Sequence, residues 1–191
     1  MPQARPDVLD FLLTRRSRPA KTLGAQAPDR AEIETLLTAA SRTPDHGKLA
    51  PWRFIVLSNA ARRQAIAQLA IDRMTAMGLE PDKIEKNARS FSYGGVIVAV
   101  VLCPVASQKI PLWEQEMAAG GVCLALLNAA LASGWGANWL TGPLCRDLEF
   151  LAQAFGCTGD ESIAGFLHLG NETVAPADRD RPDIAAITEW S

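Results

Sequence analysis

The sequence predicts a single domain in which a β-sheet is covered by helices. Segments with the composition of strands alternate with segments of helical periodicity, which favours a layered sheet. The chain has 191 residues, enough for one hydrophobic core and too few for two comfortable ones. The segment Gly94 to Cys103 is continuously apolar and rich in β-branched residues. Such a run is typical of a strand that is covered on both faces.

The first half of the chain predicts three further helices and a strand around an initial short helix. Asp7 is expected to cap that initial helix, which ends at Arg15-Arg16-Ser17. Asp29 and Glu32 resemble a capping box, and the helix that they begin is stopped by Pro44. The following elements are the strand "WRFIVLS", a helix from Asn59 to Met77, and the short charged helix "EPDKIEKNARS".

The second half predicts a buried helix, two strands and a further helix. The segment Trp113 to Ser133 is apolar or small nearly all round, so it is expected to be buried. A turn and strand follow in "GWGANWLTG", then a helix in "PLCRDLEFLAQAFG" and a last strand in "SIAGFLHLG". The tail from Asn171 onward is polar, and it is expected either to fray or to lie on another surface.

Composition excludes several classes of function. The net charge is −2 and 21% of residues are charged, so no overall basic field would attract nucleic acid or an acidic membrane. The run Val96 to Leu102 is too short to cross a bilayer, and the N-terminus does not have the pattern of a signal peptide. The four cysteines form no C-x-x-C pair. We therefore expect a soluble protein with reduced thiols in a reducing cytoplasm.

Metal, nucleophile and nucleotide-loop chemistry find no support in the sequence. Only two histidines exist, and His168 lies in a predicted core strand, where a structural role is expected. We therefore predict no metal site. Neither G-x-S-x-G, nor a P-loop, nor G-x-G-x-x-G is present, so the chain does not hold a nucleotide in the Rossmann manner.

Two basic segments remain. Arg15, Arg16 and Ser17 offer two planar guanidiniums and a hydroxyl, which suit phosphate oxygens or the carbonyl edge of a heterocycle. Taken alone, such a tripeptide is more often a solvated helix cap, and the same applies to Arg179 and Arg181. The loop after the second predicted helix is equally crowded, with Arg42, Asp45, His46 and Lys48 close together.

Five motifs in a fixed order give the combination its meaning. They are "RRS", "RTPDHGKLAPWRF", "WEQEMAAGG", "GWGANWLTGPL" and "GFLHLG". With them the chain resembles the compact branch of the nitroreductase family of flavin-dependent oxidoreductases over essentially its whole length. The resemblance implies an α+β fold with a central mixed β-sheet layered by helices and a long buried helix at the interface of an obligate homodimer. It also implies that the tail, about residues 171–191, is extended on the partner subunit.

The resemblance further implies two molecules of FMN in the subunit interface, each contacted by both chains. Arg15, Arg16 and Ser17 would hold the cofactor from one subunit, while Arg42 and His46 would reach it from the other. For His46 the alternative is a surface histidine hydrogen-bonded to Asp45. Beneath the isoalloxazine would run Trp139, Leu140, Thr141 and Gly142, with Arg179 and Arg181 closing on the phosphate.

Three positions depart from the family pattern. Pro19 stands where many members have a basic residue, and Lys48 and Ala50 replace an Asn and a Gln before the Pro-Trp pair. Leu140 stands where the compact branch often has a basic side chain. At Leu140 only a backbone role toward the cofactor is therefore expected.

The implied activity is a ping-pong reaction in which NADH or NADPH reduces FMN and a small-molecule electron acceptor is then reduced. Acceptors of the expected kind are nitroaromatics, quinones and activated alkenes. No side chain is required as a catalytic acid or base, since the chemistry belongs to the cofactor. Two alternatives are an FMN-binding storage or sensor protein without turnover, and a dimeric interaction module without a cofactor.

Overall fold

The strands and helices follow one another as the sequence predicts. The computed structural model describes residues 1–191. The elements, in chain order, are α1 (Pro6–Thr14), α2 (Arg30–Ala40), β1 (Trp52–Leu57), α3 (Ala60–Ala76), α4 (Pro81–Ser90), β2 (Val96–Leu102), α5 (Leu112–Ala132), β3 (Gly136–Leu140), α6 (Leu148–Phe155) and β4 (Ser162–Gly170).

The predicted helix starts agree at α2 and differ at α1 and α6. The capping box of Asp29 with Glu32 is present at α2. Asp7 is not the cap of α1, because Pro6 already occupies the first helical position and Arg5 precedes it. The segment Pro143–Arg146 forms a separate 3-10 turn, so α6 begins at Leu148. There the side chain of Asp147 accepts a hydrogen bond from the amide of Phe150 and caps the helix.

The sheet has the strand order β1-β2-β4-β3, and all of its pairings are antiparallel. The α+β fold is confirmed, but the prediction of mixed strand directions is wrong for this chain. Strands β2 and β3 run in the same direction and are joined through α5. They do not pair, because β4 lies between them and is antiparallel to both.

Hydrophobic clusters cover both faces of the sheet. On one face Ile97, Ala99 and Val101 of β2 pack with residues of α3, α4 and α6. On the other face the alternate residues of β2 pack with α2 and α5. Every residue of β2 is buried, which confirms the predicted strand covered on both sides.

Helix α5 is buried on one face only in the single chain. Its inner side packs on the sheet and on α2. Its outer side presents Trp113, Met117 and Leu124, whose exposed fractions are 58%, 67% and 45%. The prediction of a helix buried all round is thus only half fulfilled within one subunit. By length and composition α5 is also the one helix that could span a membrane, but its packed inner side is that of a core helix.

His168 has the structural role that the sequence predicts. It is 1% exposed on β4, and its Nδ1 lies 3.4 Å from the carbonyl oxygen of Tyr93. Burial lowers the pKa of the imidazole to about 4, so the ring is neutral at physiological pH. No group of potential metal ligands gathers around it or elsewhere.

Candidate functional site

The segment that follows α1 runs along the edge strand β3 and is fixed there by its backbone. The amide of Arg18 donates to the carbonyl of Ala137 at 2.8 Å. The side-chain amide of Asn138 donates to the carbonyl of Arg18 at 2.8 Å. These two bonds hold Arg15, Arg16 and Ser17 at a defined place next to the sheet, which a solvated helix cap would not require.

The guanidinium of Arg15 has one hydrogen-bond donor that no acceptor satisfies. Its Nη2 donates to Ser17 Oγ at 3.0 Å, but its Nε is buried and has no hydrogen-bond partner. Burial lowers the pKa of its guanidinium, and the positive charges of Arg181, Arg16 and Arg18 lower it further. Because buried polar groups are nearly always paired, this orphaned donor among several cations marks a place suited to a phosphate or carboxylate.

The first part of the tail lies on its own chain beside this cluster. Arg16 donates from Nε and Nη2 to the carbonyl of Ala177 at 3.2 and 3.0 Å, and Arg18 pairs with Glu172. Arg181 lies 3.7 Å from Asp178 and close enough to affect Arg15. The structure thus brings Arg181 to Arg15, whereas Arg179 is exposed and only its backbone amide forms a hydrogen bond, to Asp178.

A cavity of about 570 Å³ adjoins this segment. It lies on the side of the sheet that α3, α4 and α6 cover, and Pro19, which follows Arg18, is part of its wall. Its apolar floor includes Met74, Phe91 and Phe166. Its polar lining comes from the end of β3, from α4 and from the segment after α1: Lys21, Lys83, Lys86, Asn87, Ser90, Asn138, Thr141 and Gly142.

The structure places Leu140, Thr141 and Gly142 on the wall of this cavity, whereas Trp139 is not part of it. Side chains alternate across a strand, so Trp139 points to the opposite face and packs with the α5 cluster. Its indole Nε1 donates to the carbonyl of Ala164 at 3.2 Å. The amide of Gly142, expected to face the cofactor, donates instead to Cys145 Sγ at 3.3 Å.

Gly142 allows α4 to approach the end of β3. A Cβ atom at this position would lie 2.9 Å from the side-chain oxygen of Asn87. Asn87 is itself held by a bond from its Nδ2 to the carbonyl of Lys83 at 2.8 Å. Helix α4 therefore forms a close wall of the cavity directly above the segment that was predicted to lie under the flavin.

The loop with Arg42 and His46 forms a second polar group. His46 Nδ1 lies 2.7 Å from Glu114 Oε2, while Asp45 Oδ2 accepts a hydrogen bond from the amide of Ala50 at 2.8 Å. The alternative of a hydrogen bond between His46 and Asp45 is therefore not what the structure contains. Arg42 is exposed at the end of α2. The loop borders a groove of about 620 Å³ along the outer side of α5.

Within one chain His46 and the segment after α1 lie toward opposite ends of α5. Glu114, which contacts His46, is in the first turn of this helix, and Ala137, which contacts Arg18, follows its last turn. The helix has 21 residues, so its ends are about 30 Å apart. His46 therefore lies far from Arg15, Arg16 and Ser17 of its own chain, whereas Arg42 lies nearer the middle of α5, where its neighbour Thr43 meets Gly121.

Several residues of the site were missed by the sequence analysis. Asn138 was missed because its neighbour Trp139 was taken as the site residue, although strand alternation places only one of the two side chains in the cavity. Lys83 and Lys86 looked like solvated residues of a charged helix, and no sequence pattern places that helix over β3. Glu114 was likewise not recognised as the partner of His46.

Comparison with known proteins agrees with the geometry. The family model described as "Nitroreductase family" matches residues 12–171. "Putative NAD(P)H nitroreductase YdjA" of Escherichia coli K12 is 35% identical over 164 residues, which cover 86% of this chain and 87% of the relative. "Putative NAD(P)H nitroreductase" of Haemophilus influenzae is 32% identical over 166 residues, covering 86% and 88% of the two chains.

Solved structures share the fold at lower identity. A nitroreductase-like family protein from Bacillus cereus superposes with a TM-score of 0.80 at 19% identity and covers 100% of this chain and 99% of its own. A nitroreductase from Desulfovibrio desulfuricans, described as putative and solved in complex with FMN, has a TM-score of 0.74 at 21% identity, with coverage of 99% and 98%. These similarities concern the whole chain and not one motif.

Proposed function

Because the chain belongs to the nitroreductase family, we propose that it is a homodimeric, FMN-dependent oxidoreductase that uses NADH or NADPH to reduce a small organic acceptor. Nitroaromatics, quinones and activated alkenes are acceptors of the proposed kind. The observation that carries the proposal is Arg15, whose buried Nε has no partner within a cluster of arginines, in the segment that continues to Pro19 on the wall of a 570 Å³ cavity.

The residues at this place fit the chemistry of FMN. A phosphate would provide the acceptor oxygens that Arg15 lacks, with Arg16, Ser17 and Arg181 as its further partners. The cavity beside them has an apolar floor and the backbone of Leu140 to Gly142 along one side, which suits a flat heterocyclic ring. When bound there, FMN supplies reversible transfer of two electrons.

We also propose that the reaction has a ping-pong order. In the overall reaction NAD(P)H gives up a hydride, and a nitro acceptor takes two electrons and two protons to become a nitroso compound and water. One proton comes with the hydride equivalent and the other from solvent. One cavity of about 570 Å³ would have to admit both substrates next to the ring, so we infer that NAD(P)⁺ leaves before the acceptor enters. The apolar floor with Phe91 and Phe166 limits access of water from below.

The homodimer is supported by surface that one chain leaves uncovered. The outer stripe of α5 is apolar, and Asn128 on this helix has a buried Oδ1 without a partner. Helix α1 has no buried residue, although Leu9 and Leu13 are apolar, and Trp190 of the tail is 91% exposed. Apolar surface of this extent is typical of an interface.

A two-fold axis through this surface would complete the cofactor site. If the two α5 helices pack antiparallel, the first turn of one lies beside the last turn of the other. His46 of one subunit then approaches Arg15 of the partner, and we propose that Arg42 of the same loop reaches that site with it. We propose that the tail beyond Arg181, whose residues are all exposed in their own chain, also lies on the partner.

The unpaired state of the cysteine thiols supports a proposal for the cellular compartment. Cys103, Cys123, Cys145 and Cys157 are all unpaired, and three of them are buried. Free thiols are the normal state of cysteine in a reducing cytoplasm. We therefore propose a cytoplasmic location.

The experiment that tests the function is a spectral titration of the purified protein. We expect visible flavin bands that NADH or NADPH bleaches without oxygen and that an added nitroaromatic or quinone restores. Flavin bands that neither nicotinamide bleaches would favour a storage or sensor protein. A colourless protein that also fails to bind added FMN would favour an interaction module.

A further inference from the structure

We propose that the electron acceptor carries an anionic group, such as a carboxylate, and that Lys83 and Lys86 of α4 recognise it. This inference rests on the proposed function, because the acceptor must enter the cavity that the flavin ring shares. The names of the relatives specify no acceptor beyond a nitro group, and the charges that line the cavity indicate a further feature of the acceptor.

The cavity is lined by positive charge without a matching negative charge. Three lysines, Lys21, Lys83 and Lys86, contribute to its wall, and no aspartate or glutamate does. None of the three takes part in an ion pair. The ammonium groups are therefore available to an anion that enters the cavity.

The acidic residues of α4 do not neutralise these lysines. Glu85 pairs with Arg89, and both line a separate groove between α3 and α4. Asp82 is exposed and is not part of the cavity wall. Lys83 and Lys86 of α4 thus line the cavity without an ion-pair partner, and the carboxylates of α4 do not line it.

Helical spacing places the lysines over the end of β3. Lys83, Lys86, Asn87 and Ser90 follow one another at intervals of three, one and three residues, which puts them on one face of α4. Asn87 on this face lies next to Gly142. The ammonium groups therefore border the same space as Leu140 to Gly142, where the proposed ring and its acceptor would meet.

The setting strengthens attraction for an anion. Lys83 and Lys86 are exposed, so water screens each charge, and the attraction depends on the two charges acting together. Several like charges at one cavity entrance also raise the local concentration of anions, and salt weakens this effect.

The anionic group of the acceptor serves for recognition only and stays unchanged in the reaction. The nitro group of such an acceptor takes the two electrons of NAD(P)H and two protons, and is converted to nitroso and water.

The test compares two acceptors of nearly the same shape, 4-nitrobenzoate and 4-nitrobenzamide, on the flavin-loaded protein. We expect a higher kcat/KM for the benzoate, and we expect salt to reduce the difference. The double variant Lys83→Met and Lys86→Met should lower the ratio of the two kcat/KM values about tenfold, the effect expected for two largely exposed charges. Charge reversal, Lys83→Glu with Lys86→Glu, should lower it further. The matched control Lys109→Met removes an exposed lysine outside the cavity and should leave the ratio unchanged.

Binding without turnover gives an independent measurement. Benzoate and benzamide cannot accept electrons here, and their binding can be followed through the visible absorbance of the oxidised flavoprotein. We expect tighter binding of benzoate in the natural protein and loss of this preference in the double variant. A flavoprotein that reduces nitrobenzamide but shows no preference, or keeps its preference in the double variant, would overturn this inference alone. A protein that binds no flavin would overturn both this inference and the proposed function.

Discussion

Arg53 and Glu161 form a two-pronged ion pair that joins the edge strand β1 to the turn before β4. Arg53 donates from Nε to Glu161 Oε1 at 2.7 Å and from Nη2 to Oε2 at 3.0 Å. Cys103 Sγ lies 3.1 Å from the same carboxylate. The hydrogen bond from Arg53 lowers the pKa of the Glu161 carboxyl from an ordinary 4.5 to about 2. The carboxylate therefore favours the folded state in its charged form.

Glu161→Gln should destabilise the protein at neutral pH and lose this effect in acid. The folded-state pKa is depressed, so the stabilisation is present above pH 4.5 and is lost as the pH falls toward 2. We expect a free-energy loss of about 1–3 kcal/mol at pH 7, because a charged hydrogen bond contributes about that much. Urea unfolding of both proteins between pH 7 and pH 2 measures it.

The control for this prediction is Glu34→Gln. Glu34 pairs with Arg30 on the exposed side of α2, so its loss should change stability by less than about 0.5 kcal/mol. A difference between natural protein and Glu161→Gln that stays constant down to pH 2 would contradict the ionic origin of the effect.

The element types were predictable because each depends on local periodicity or capping. The continuous apolar run of β2 and the capping box of Asp29 with Glu32 involve residues that are near in sequence. The strand order was not predictable in the same way. Insertion of β4 between β2 and β3 depends on packing between distant segments, and no local pattern distinguishes it from direct pairing of β2 with β3.

The candidate site shows the same limit. The order of motifs selected Arg15 and Leu140, and the structure places Arg15 in the cluster of arginines and Leu140 on the cavity wall. The face on which a β3 side chain lies depends on the register of that strand, which the sequence does not give. Trp139 was therefore predicted as a site residue, whereas its side chain packs on the face of the sheet opposite the cavity. The lysines of α4 enter the site only through tertiary packing, because their sequence is that of a solvated helix.

Arg15→Ala should weaken FMN binding more than Arg18→Ala does. Arg18 already pairs with Glu172 and donates to the carbonyl of Arg16, whereas the Nε of Arg15 has no partner. Loss of a charged hydrogen bond costs about 1.5–3 kcal/mol, which is roughly one to two decades in Kd. Fluorescence titration of the apoprotein with FMN measures both variants.

Stability separates this role of Arg15 from a structural one. Removing a buried cation that lies among other arginines should leave the thermal stability of the apoprotein unchanged or increase it. Equal losses of FMN affinity in the two variants, or a loss for Arg15→Ala that only accompanies unfolding, would contradict the assignment.

Leu124→Glu should convert the protein to monomers that do not retain flavin. Leu124 is 45% exposed on the outer stripe of α5, and a carboxylate there would be buried without a partner in the proposed dimer. Light scattering across a dilution series, together with the flavin absorbance of each fraction, measures the result. Met77→Glu places the same charge at the end of α3, on a residue that is 42% exposed, and should leave the dimer intact. A flavin-loaded monomer would contradict the proposed interface.

The cross-subunit site can be tested by combining two defects in one heterodimer. His46 and Arg15 lie about one α5 length apart in a single chain, so a shared cofactor requires them to come from different subunits. Arg15→Ala should weaken FMN binding about 10- to 100-fold, and His46→Ala should weaken it about tenfold as one hydrogen bond is lost. A heterodimer with Arg15→Ala in one chain and His46→Ala in the other should then place both defects in one site and leave the other site intact.

Calorimetric titration of the isolated heterodimer with FMN should therefore show one tight site and one site weaker than in either variant homodimer. Two sites of intermediate affinity would mean that Arg15 and His46 serve the same cofactor from the same chain. The homodimer of His46→Ala is the necessary reference, since normal affinity there would remove His46 from the site altogether. Glu114→Gln is the matched control, because it weakens the contact that holds the His46 ring at 2.7 Å while keeping the imidazole itself. A loss of affinity in Glu114→Gln as large as in His46→Ala would assign the effect to the shape of the loop and not to contact between the imidazole and the flavin.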